Sequence, residues 1–561
     1  MKKIMSIMLS IILVLSTLSV AAFAAEGDTV KFAVATDIHT RDYDEEIPVN
    51  YPESELYFHA QNSGILYWQT IGIFRSFITE AVNEGAEFVL LPGDISNAGS
   101  EKQHLYMAEQ LHNFEIEFNI PIYVVPGNHD LYRSSPAEFA KYYAELGYNE
   151  AIATDTETAS YVVDLPGNIR LLCIDSNDAG DDGDGLDERL FSWIEEQANA
   201  GHDAGKTVLA MMHHPLLEPI PFAETLMKDF IVRDHEEVAE RFTQYGIECV
   251  FTGHEHGNNI SSYTGTNGKT VYDVLTTALT SYPLEYRMIT LDENQIDVKV
   301  NGITECDFDY VREGYTEKQL ELMRTDYTEY SRGYFKYSVE KKIAGFITPE
   351  FIAKKLNVTE GALYDAIYAV MPVVEEALQM PLYEKDTDGL SVEKLAKECS
   401  ATMPESDYYN LYDLATSVVC DIYYGAENKP MDSSPEGKVL IVGLNTMLKY
   451  ILAEAGNRAT TLALNSIFEG IGLDEIEGVD LFRWNRSLVL GADHSYEVAF
   501  SVLSPLIDKF MVDDEICDRD AVLLRNPEPA ETNKVETFFE KIYNFFKYIL
   551  SILKTAMFIK F

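Results

Sequence analysis

The sequence predicts an α/β domain followed by a mainly α-helical second domain, and three observations predict it. Between Val30 and Gly302, short apolar runs alternate with amphipathic stretches of helical spacing. From Asp307 to Arg525 the strand-like runs give way to apolar residues at helix period. Clusters of Asp, Asn and His begin where individual apolar runs stop, and such strand ends are where open α/β sheets hold their ligands. At 561 residues the chain exceeds one ordinary core, so more than one domain is expected.

The elements follow in order. Lys2-Lys3, the apolar stretch Ile4 to Val20 and Ala22-Phe23-Ala24 predict a cleaved signal peptide over 1–24, bacterial in look. An uncleaved N-terminal membrane anchor is the other reading, and either places the protein outside the cell or at its surface. Within a first domain at 25–306, strands are expected over 31–35, 88–91, 122–125, 169–174, 207–212 and 249–251. Helices are expected over 65–82, 103–118, 136–146, 188–198 and 236–245. After Gly257, runs at 271–275, 287–291 and 295–300 predict antiparallel strands that finish the domain. A second domain at 307–530 carries helical stretches over 317–323, 348–355, 363–378, 392–398 and 440–453. Its run Val439 to Leu448 is shorter than the ~20 residues a membrane span needs, so a buried helix is predicted. The tail at 531–561 repeats Phe538, Phe539, Ile542, Phe545, Phe546 and Ile549 among Lys541, Lys547 and Lys554. That profile fits an amphipathic helix, resting on a membrane surface through residues 535–561 or packed on protein.

Composition narrows the function. A formal net charge of −49 argues against a general nucleic-acid binder, whose affinity rests on basic residues at phosphates. It suits a soluble, self-repelling surface. Six cysteines lack any C-x-x-C pair, which excludes a zinc knuckle or dithiol motif. Cys173 and Cys249 fall in apolar runs and are expected as buried small hydrophobes. Export would permit a disulfide, for example Cys399 with Cys420. The acidic stretch Asp178 to Gly185 lacks the closing Glu of an EF-hand loop and is expected to be solvated. Tyr408, Tyr409 and Tyr412 are expected on a packed helix face rather than as a binding surface.

Five polar groups carry the chemistry: Asp37-Ile38-His39, Gly93-Asp94, Gly127-Asn128-His129-Asp130, His213-His214-Pro215 and Gly253-His254-Glu255-His256. In a parallel sheet all the carboxyl ends face one side, so these residues can converge. Carboxylate, amide oxygen and imidazole nitrogen together suit divalent ions of the Mn, Fe and Zn kind. In D-x-H and H-x-H an extended segment would put both donors on one side. Gly93, Gly127 and Gly253 would let the backbone turn sharply and approach the ions.

The five groups, in this order, resemble the blocks of the calcineurin-like metallophosphoesterase superfamily over roughly residues 30–300. The resemblance implies a four-layer α/β/β/α sandwich and two divalent metal ions. It implies that Asp37, His39 and His256 hold one ion, that Asn128, His213 and His254 hold the other, and that Asp94 bridges. His129 would stay off the metals as the acid for the leaving oxygen, with Asp130 orienting its ring and His214 a neighbour. Such a site would clamp a small phosphate ester and activate water for in-line attack on phosphorus. The run Gly93 to Gly99 and the following Gln103-His104 are similar to the cyclic-nucleotide phosphodiesterase branch, which favours a diester over a monoester. In that branch His104 would reach the site; otherwise it is a helix-surface histidine.

Overall fold

The computed structural model describes residues 29–41, 64–177, 185–219, 231–311, 315–346, 348–398, 401–425, 434–455, 463, 466 and 518–525. The leader, the acidic stretch up to Asp184 and the tail at 531–561 lie outside them. Chain order begins β1 (Val30–Val34), α1 (Thr70–Asn83), β2 (Val89–Pro92), α2 (Glu101–Phe118), β3 (Ile122–Val125) and α3 (Pro136–Tyr142). It continues β4 (Ala153–Thr154), β5 (Tyr161–Leu165), β6 (Ile169–Cys173), α4 (Glu188–Asp203), β7 (Thr207–Met211), α5 (His235–Tyr245) and β8 (Cys249–Thr252). Four further strands, β9 (Asn259–Thr264), β10 (Thr270–Leu275), β11 (Glu285–Leu291) and β12 (Gln295–Gly302), follow. After the helices of the second region comes β13 (Ala521–Leu524).

These strands form two sheets rather than one. The first runs β13-β12-β11-β1-β2-β3 and the second β4-β5-β6-β7-β8-β10-β9. β1, β2 and β3 pair in parallel, as do β6, β7, β8 and β10, while the other pairings are antiparallel. Period-2 alternation explains the layering. Phe32 and Val34 of β1 point at the second sheet and meet Leu171, Cys173 and Phe251. Ala33 and Ala35 point the other way, under Phe74 and Phe77 of α1 and Met107 of α2. On the far side, Ala210 and Val250 pack beneath Leu190 and Ile194 of α4 and Phe242 of α5. Helices, sheet, sheet and helices therefore stack in four layers. Each central strand is buried on both faces, which is why its sequence is apolar throughout.

The second region is helical: α6 (Glu317–Thr325), α7 (Tyr327–Phe346), α8 (Pro349–Lys355), α9 (Ala362–Gln379), α10 (Val392–Glu398), α11 (Leu411–Tyr424) and α12 (Pro435–Ala455). Its own core includes Val370, Leu382, Val392, Leu414, Val439 and Met447. Tyr408 packs against that core and Tyr412 is buried, but Tyr409 is half exposed. The division at 306/307 is not a break in packing. Met323, Tyr327, Tyr330 and Tyr334 join the core beneath α1, and the Gln69 amide bonds the hydroxyls of Tyr315, Tyr327 and Tyr330. β13, from the far end of that region, pairs with β12 in the first sheet. Arg525 clasps Glu248 at 2.6 and 3.0 Å just after it.

Cys173, Cys249, Cys306 and Cys420 are buried free thiols, so Cys420 does not carry the disulfide suggested with Cys399. Among the described residues no helix is long and apolar enough to cross a membrane.

Candidate metal centre

The five polar groups meet where the carboxyl ends of β1, β2 and β3 face those of β7 and β8. Local backbone is not extended there. Asp37, His39, Asp94, His254 and His256 all adopt positive φ, between 49° and 77°. Side-chain-bearing residues rarely do so, and such kinks persist only where surrounding contacts over-determine them. Here loop-to-loop hydrogen bonds supply the hold: Asp37 N–H to Gly93 O, His39 N–H to Asp94 O and Gly253 N–H to His213 O, at 2.8–3.2 Å. Two of the glycines serve close approach rather than an unusual φ. A Cβ on Gly127 would lie 2.5 Å from the Asp94 amide nitrogen, and one on Gly253 would lie 2.6 Å from Asp37 Oδ2.

Each carboxylate spends one oxygen on the scaffold and presents the other. Asp37 Oδ2 accepts from the Thr36 hydroxyl and the His254 N–H, both at 2.9 Å. Its Oδ1 lies 3.3 Å from His256 Nε2 and 3.6 Å from His39 Nε2. Asp94 Oδ1 accepts from the His129 N–H at 2.9 Å. Its Oδ2 lies 3.6 Å from His39 Nε2 on one side and 3.4 Å from His213 Nε2 on the other. Around the second pole His213 Nε2 stands 3.2 Å from Asn128 Oδ1 and 3.0 Å from His254 Nδ1. His213 Nδ1 donates to the Pro92 carbonyl at 2.9 Å, which leaves the Nε2 lone pair as the one that could bind a metal. Two groups of donors thus meet at Asp94.

The electrostatics ask for positive charge. Burial pushes the Asp37 carboxyl up, but the imidazoles of His256, His39 and His213 overcome it and hold it well below the ordinary range. Asp94 is likewise held low, against its burial, by His213, His39 and His129. Burial alone would pull His213 down, yet Asp94, Asp37 and the Pro92 carbonyl push it up to about 10. His254, buried beside His214 and His213, is held well below its usual value and keeps its lone pair. Two carboxylates held ionised among buried imidazoles make a setting that suits divalent ions. Asp37 Oδ1 is buried and accepts no hydrogen bond, and His39 Nε2 stands only 3.1 Å from His256 Nε2. Nitrogen and oxygen lone pairs converging on a shared point fit two divalent ions.

Asp130 does not orient the His129 ring. The Asn97 carbonyl does, accepting from His129 Nδ1 at 2.7 Å. The Asp130 carboxylate instead accepts from Ile95 N–H, Ser96 N–H, Ser96 Oγ–H and Gly127 N–H at 2.7–3.1 Å, tying the β2 loop to the β3 loop. Its raised pKa comes from burial, helped by the nearby charge of Asp94. His104 is neither a site residue nor a surface one. It is fully buried, and bonds the Asp130 carbonyl through Nε2 and the Tyr143 hydroxyl through Nδ1. His214 sits behind His254, with Nδ1 2.8 Å from the Ser176 hydroxyl.

Several working residues had no role assigned from the sequence. The Thr36 hydroxyl links the Asp37 carboxylate to the Pro92 carbonyl, and Asn97 acts through its backbone carbonyl on His129; a hydroxyl at the last buried position before Asp37 was the one signal for Thr36. Asp273 holds the turn after His214 by accepting from Leu216 N–H, Leu217 N–H and the Thr252 hydroxyl. The helical region also reaches this face: Asn258 N–H bonds the Tyr423 carbonyl at the end of α11, two residues past His256.

Residues 30–258 match the calcineurin-like phosphoesterase family. A probable glycerophosphodiester phosphodiesterase GpdQ from Arcobacter nitrofigilis is 26% identical over 162 residues, 28% of this chain and 54% of that protein. The chain therefore spans about half the length of that relative. The serine/threonine-protein phosphatase CPPED1 of Mus musculus is 23% identical over 236 residues, 38% of this chain and 70% of that protein. A solved dimetal phosphatase from Danio rerio aligns with TM-score 0.37 and 13% identity, over 49% of this chain and 96% of that one. The matched stretch, residues 30–258, is the one that sets the five polar groups at the strand ends of a two-sheet sandwich.

Proposed function

We propose that this protein is an exported, two-metal phosphoesterase that hydrolyses small phosphodiesters, cyclic nucleotides among the candidates. The observation that carries the reading is the meeting of two nitrogen-and-oxygen donor groups at Asp94. Asp37, His39 and His256 would hold one divalent ion and Asn128, His213 and His254 the other. Bound there, Mn, Fe or Zn ions supply Lewis-acid polarisation of a phosphoryl oxygen and lower the pKa of water. The chain's own part in bond breaking falls to His129. Its Nδ1–H is committed to the Asn97 carbonyl, so Nε2 is the nitrogen that holds a proton and delivers it to the departing alcohol. Asp130 and His104 keep that loop in place from behind.

The likeness of Gly93 to Gly99 to the cyclic-nucleotide branch supports a diester, as does the phosphodiesterase name of the Arcobacter relative. The phosphatase name of the mouse relative favours a second reading, a phosphomonoesterase on the same site. Lys2-Lys3, the apolar stretch and Ala22-Phe23-Ala24 support export. The aromatic and basic pattern of 535–561 supports contact with a membrane surface. Liposome flotation with and without those residues tests that contact, and equal flotation sinks it. For the activity, purified protein with added Mn²⁺ is assayed on bis-p-nitrophenyl phosphate, with Asp94→Asn and His129→Ala beside it. Equal turnover by all three refutes the mechanism. Faster turnover of p-nitrophenyl phosphate than of the diester selects the monoester reading.

A further inference from the structure

We propose that Tyr132 positions Asn128 for its metal and forms the surface against which the ester's leaving group rests. This rests on the hydrolase reading above. Tyr132 lies two residues past Asp130, yet its side chain returns to the site. It is 59% exposed, an unusual setting for a large aromatic beside so buried a centre. The Asn128 Nδ2–H donates to its hydroxyl at 3.1 Å. Its ring lies 4.6 Å from the His129 ring, which in turn lies 4.8 Å from that of His39.

The first contact decides which way the Asn128 amide faces. An amide has an oxygen that can bind a cation and an NH₂ that cannot. With Nδ2 on the tyrosine hydroxyl, Oδ1 is the atom left facing His213 Nε2, at 3.2 Å. Were the amide reversed, two hydrogens would point at the cation's place. Partners of this kind, one bond behind a ligand, tune metal affinity.

The second contact places an aromatic face beside the proton donor. The leaving alcohol must depart next to His129 to receive its proton, so it leaves alongside this ring. An exposed ring there favours flat, apolar leaving groups over small polar alcohols.

Tyr132→Phe and Tyr132→Ala separate the two roles, since Phe keeps the ring and loses the hydroxyl. Calorimetric titration of the apoprotein with Mn²⁺ measures the first role. Relative kcat/KM for bis-p-nitrophenyl phosphate against glycerophosphoethanolamine measures the second. In both variants the weaker Mn²⁺ affinity should fall roughly tenfold, the low end for such a partner. The aryl-to-alkyl ratio should hold in Phe and fall roughly fivefold in Ala, through a higher KM for the aryl ester. Wild-type Mn²⁺ affinity in both variants, or a wild-type ratio in Ala, overturns the proposal. If wild type hydrolyses neither ester, the hydrolase reading fails, while the Mn²⁺ titration still judges the hold on Asn128.

Discussion

Replacing Asp130 with asparagine separates a brace from a proton relay. Oδ1 accepts from the Ser96 N–H and hydroxyl, both at 2.7 Å, and Oδ2 from the Ile95 and Gly127 N–H groups at 3.1 and 3.0 Å. An amide keeps one oxygen and turns an NH₂ toward the other pair. With the NH₂ beside Ser96 the hydroxyl can rotate to accept, and one buried N–H is left facing a donor. Reversed, two are. A hydrogen bond to a charged acceptor contributes about 1.5–3 kcal/mol, and an unsatisfied buried donor costs about 1–3 kcal/mol. Relief of a buried carboxylate offsets part of this, so Asp130→Asn should cost about 2–3 kcal/mol. Urea unfolding in EDTA reads that cost without metal linkage, and metal content with turnover reads the consequence at the site. Because Asn97 holds the His129 ring, the pH profile of residual turnover should keep its wild-type shape. Stability within about 0.5 kcal/mol of wild type, with a displaced pH profile, would refute the brace and restore Asp130 as partner to His129.

Three further outcomes test other parts of the centre. His129→Ala should retain both Mn²⁺ ions by metal analysis while kcat falls roughly 10²–10⁴-fold, the span of a lost general acid. Gly127→Ala places a Cβ 2.5 Å from the Asp94 amide nitrogen, so it should lower Mn²⁺ affinity at least roughly tenfold and stability by about 1–3 kcal/mol; unaltered Mn²⁺ binding would show that Asp94 can move freely. Asp273 is pushed up to about 6 by burial, against its donors Thr252, Leu217 and Leu216. Between the ordinary carboxyl value near ~4 and about 6 the folded apoprotein keeps a proton that the unfolded chain has released. This group's contribution to stability is therefore present at low pH and lost as pH rises through that window, by up to about 3 kcal/mol. Asp273→Asn should remove that slope from urea midpoints measured between pH 4 and 7, and an unchanged slope would reject it.

The strand ends were legible because both signals there are local. An apolar run buried on two faces must be nearly all hydrophobic, so the first Asp, Asn or His after it marks where the chain leaves the core. Asp37, Asp94, Asn128, His213 and His254 each follow that rule. β5 was not legible, since Asp164 interrupts Tyr161 to Leu165 and finds its partner in Arg170 across the hairpin, at 2.9 Å. β13 was not legible because its pairing partner, β12, lies more than two hundred residues earlier. α7 was missed because its aromatic residues serve several partners. Tyr327, Tyr330 and Tyr334 face the core under α1, and Phe335 and Val339 face Tyr282 and Cys420. No single stripe remains in the sequence.

Site geometry failed to show for a different reason. Residue types announced the ligands, but alternation suggested an extended segment where the backbone is left-handed at five of them. A left-handed φ at Asp37 or His254 is unfavourable in isolation and is held by bonds from another loop. Those bonds come from Gly93, Asp94 and His213, all distant in sequence from the residues they hold. The same dependence moves Asp130 and His104 from chemistry to support. A carboxylate one residue after a histidine suggests a pair, yet four donors from two loops surround it and leave none of its lone pairs for the ring. Both ring nitrogens of the buried His104 are engaged, joining α2 to the Asp130 carbonyl and α3's end at Tyr143. The identity of the proposed ligands is thus a property of the strand ends, whereas their direction is a property of the loops opposite them. Substitutions at Gly127, Asp130 or Asn97 should therefore disturb the centre although none of the three supplies it a ligand.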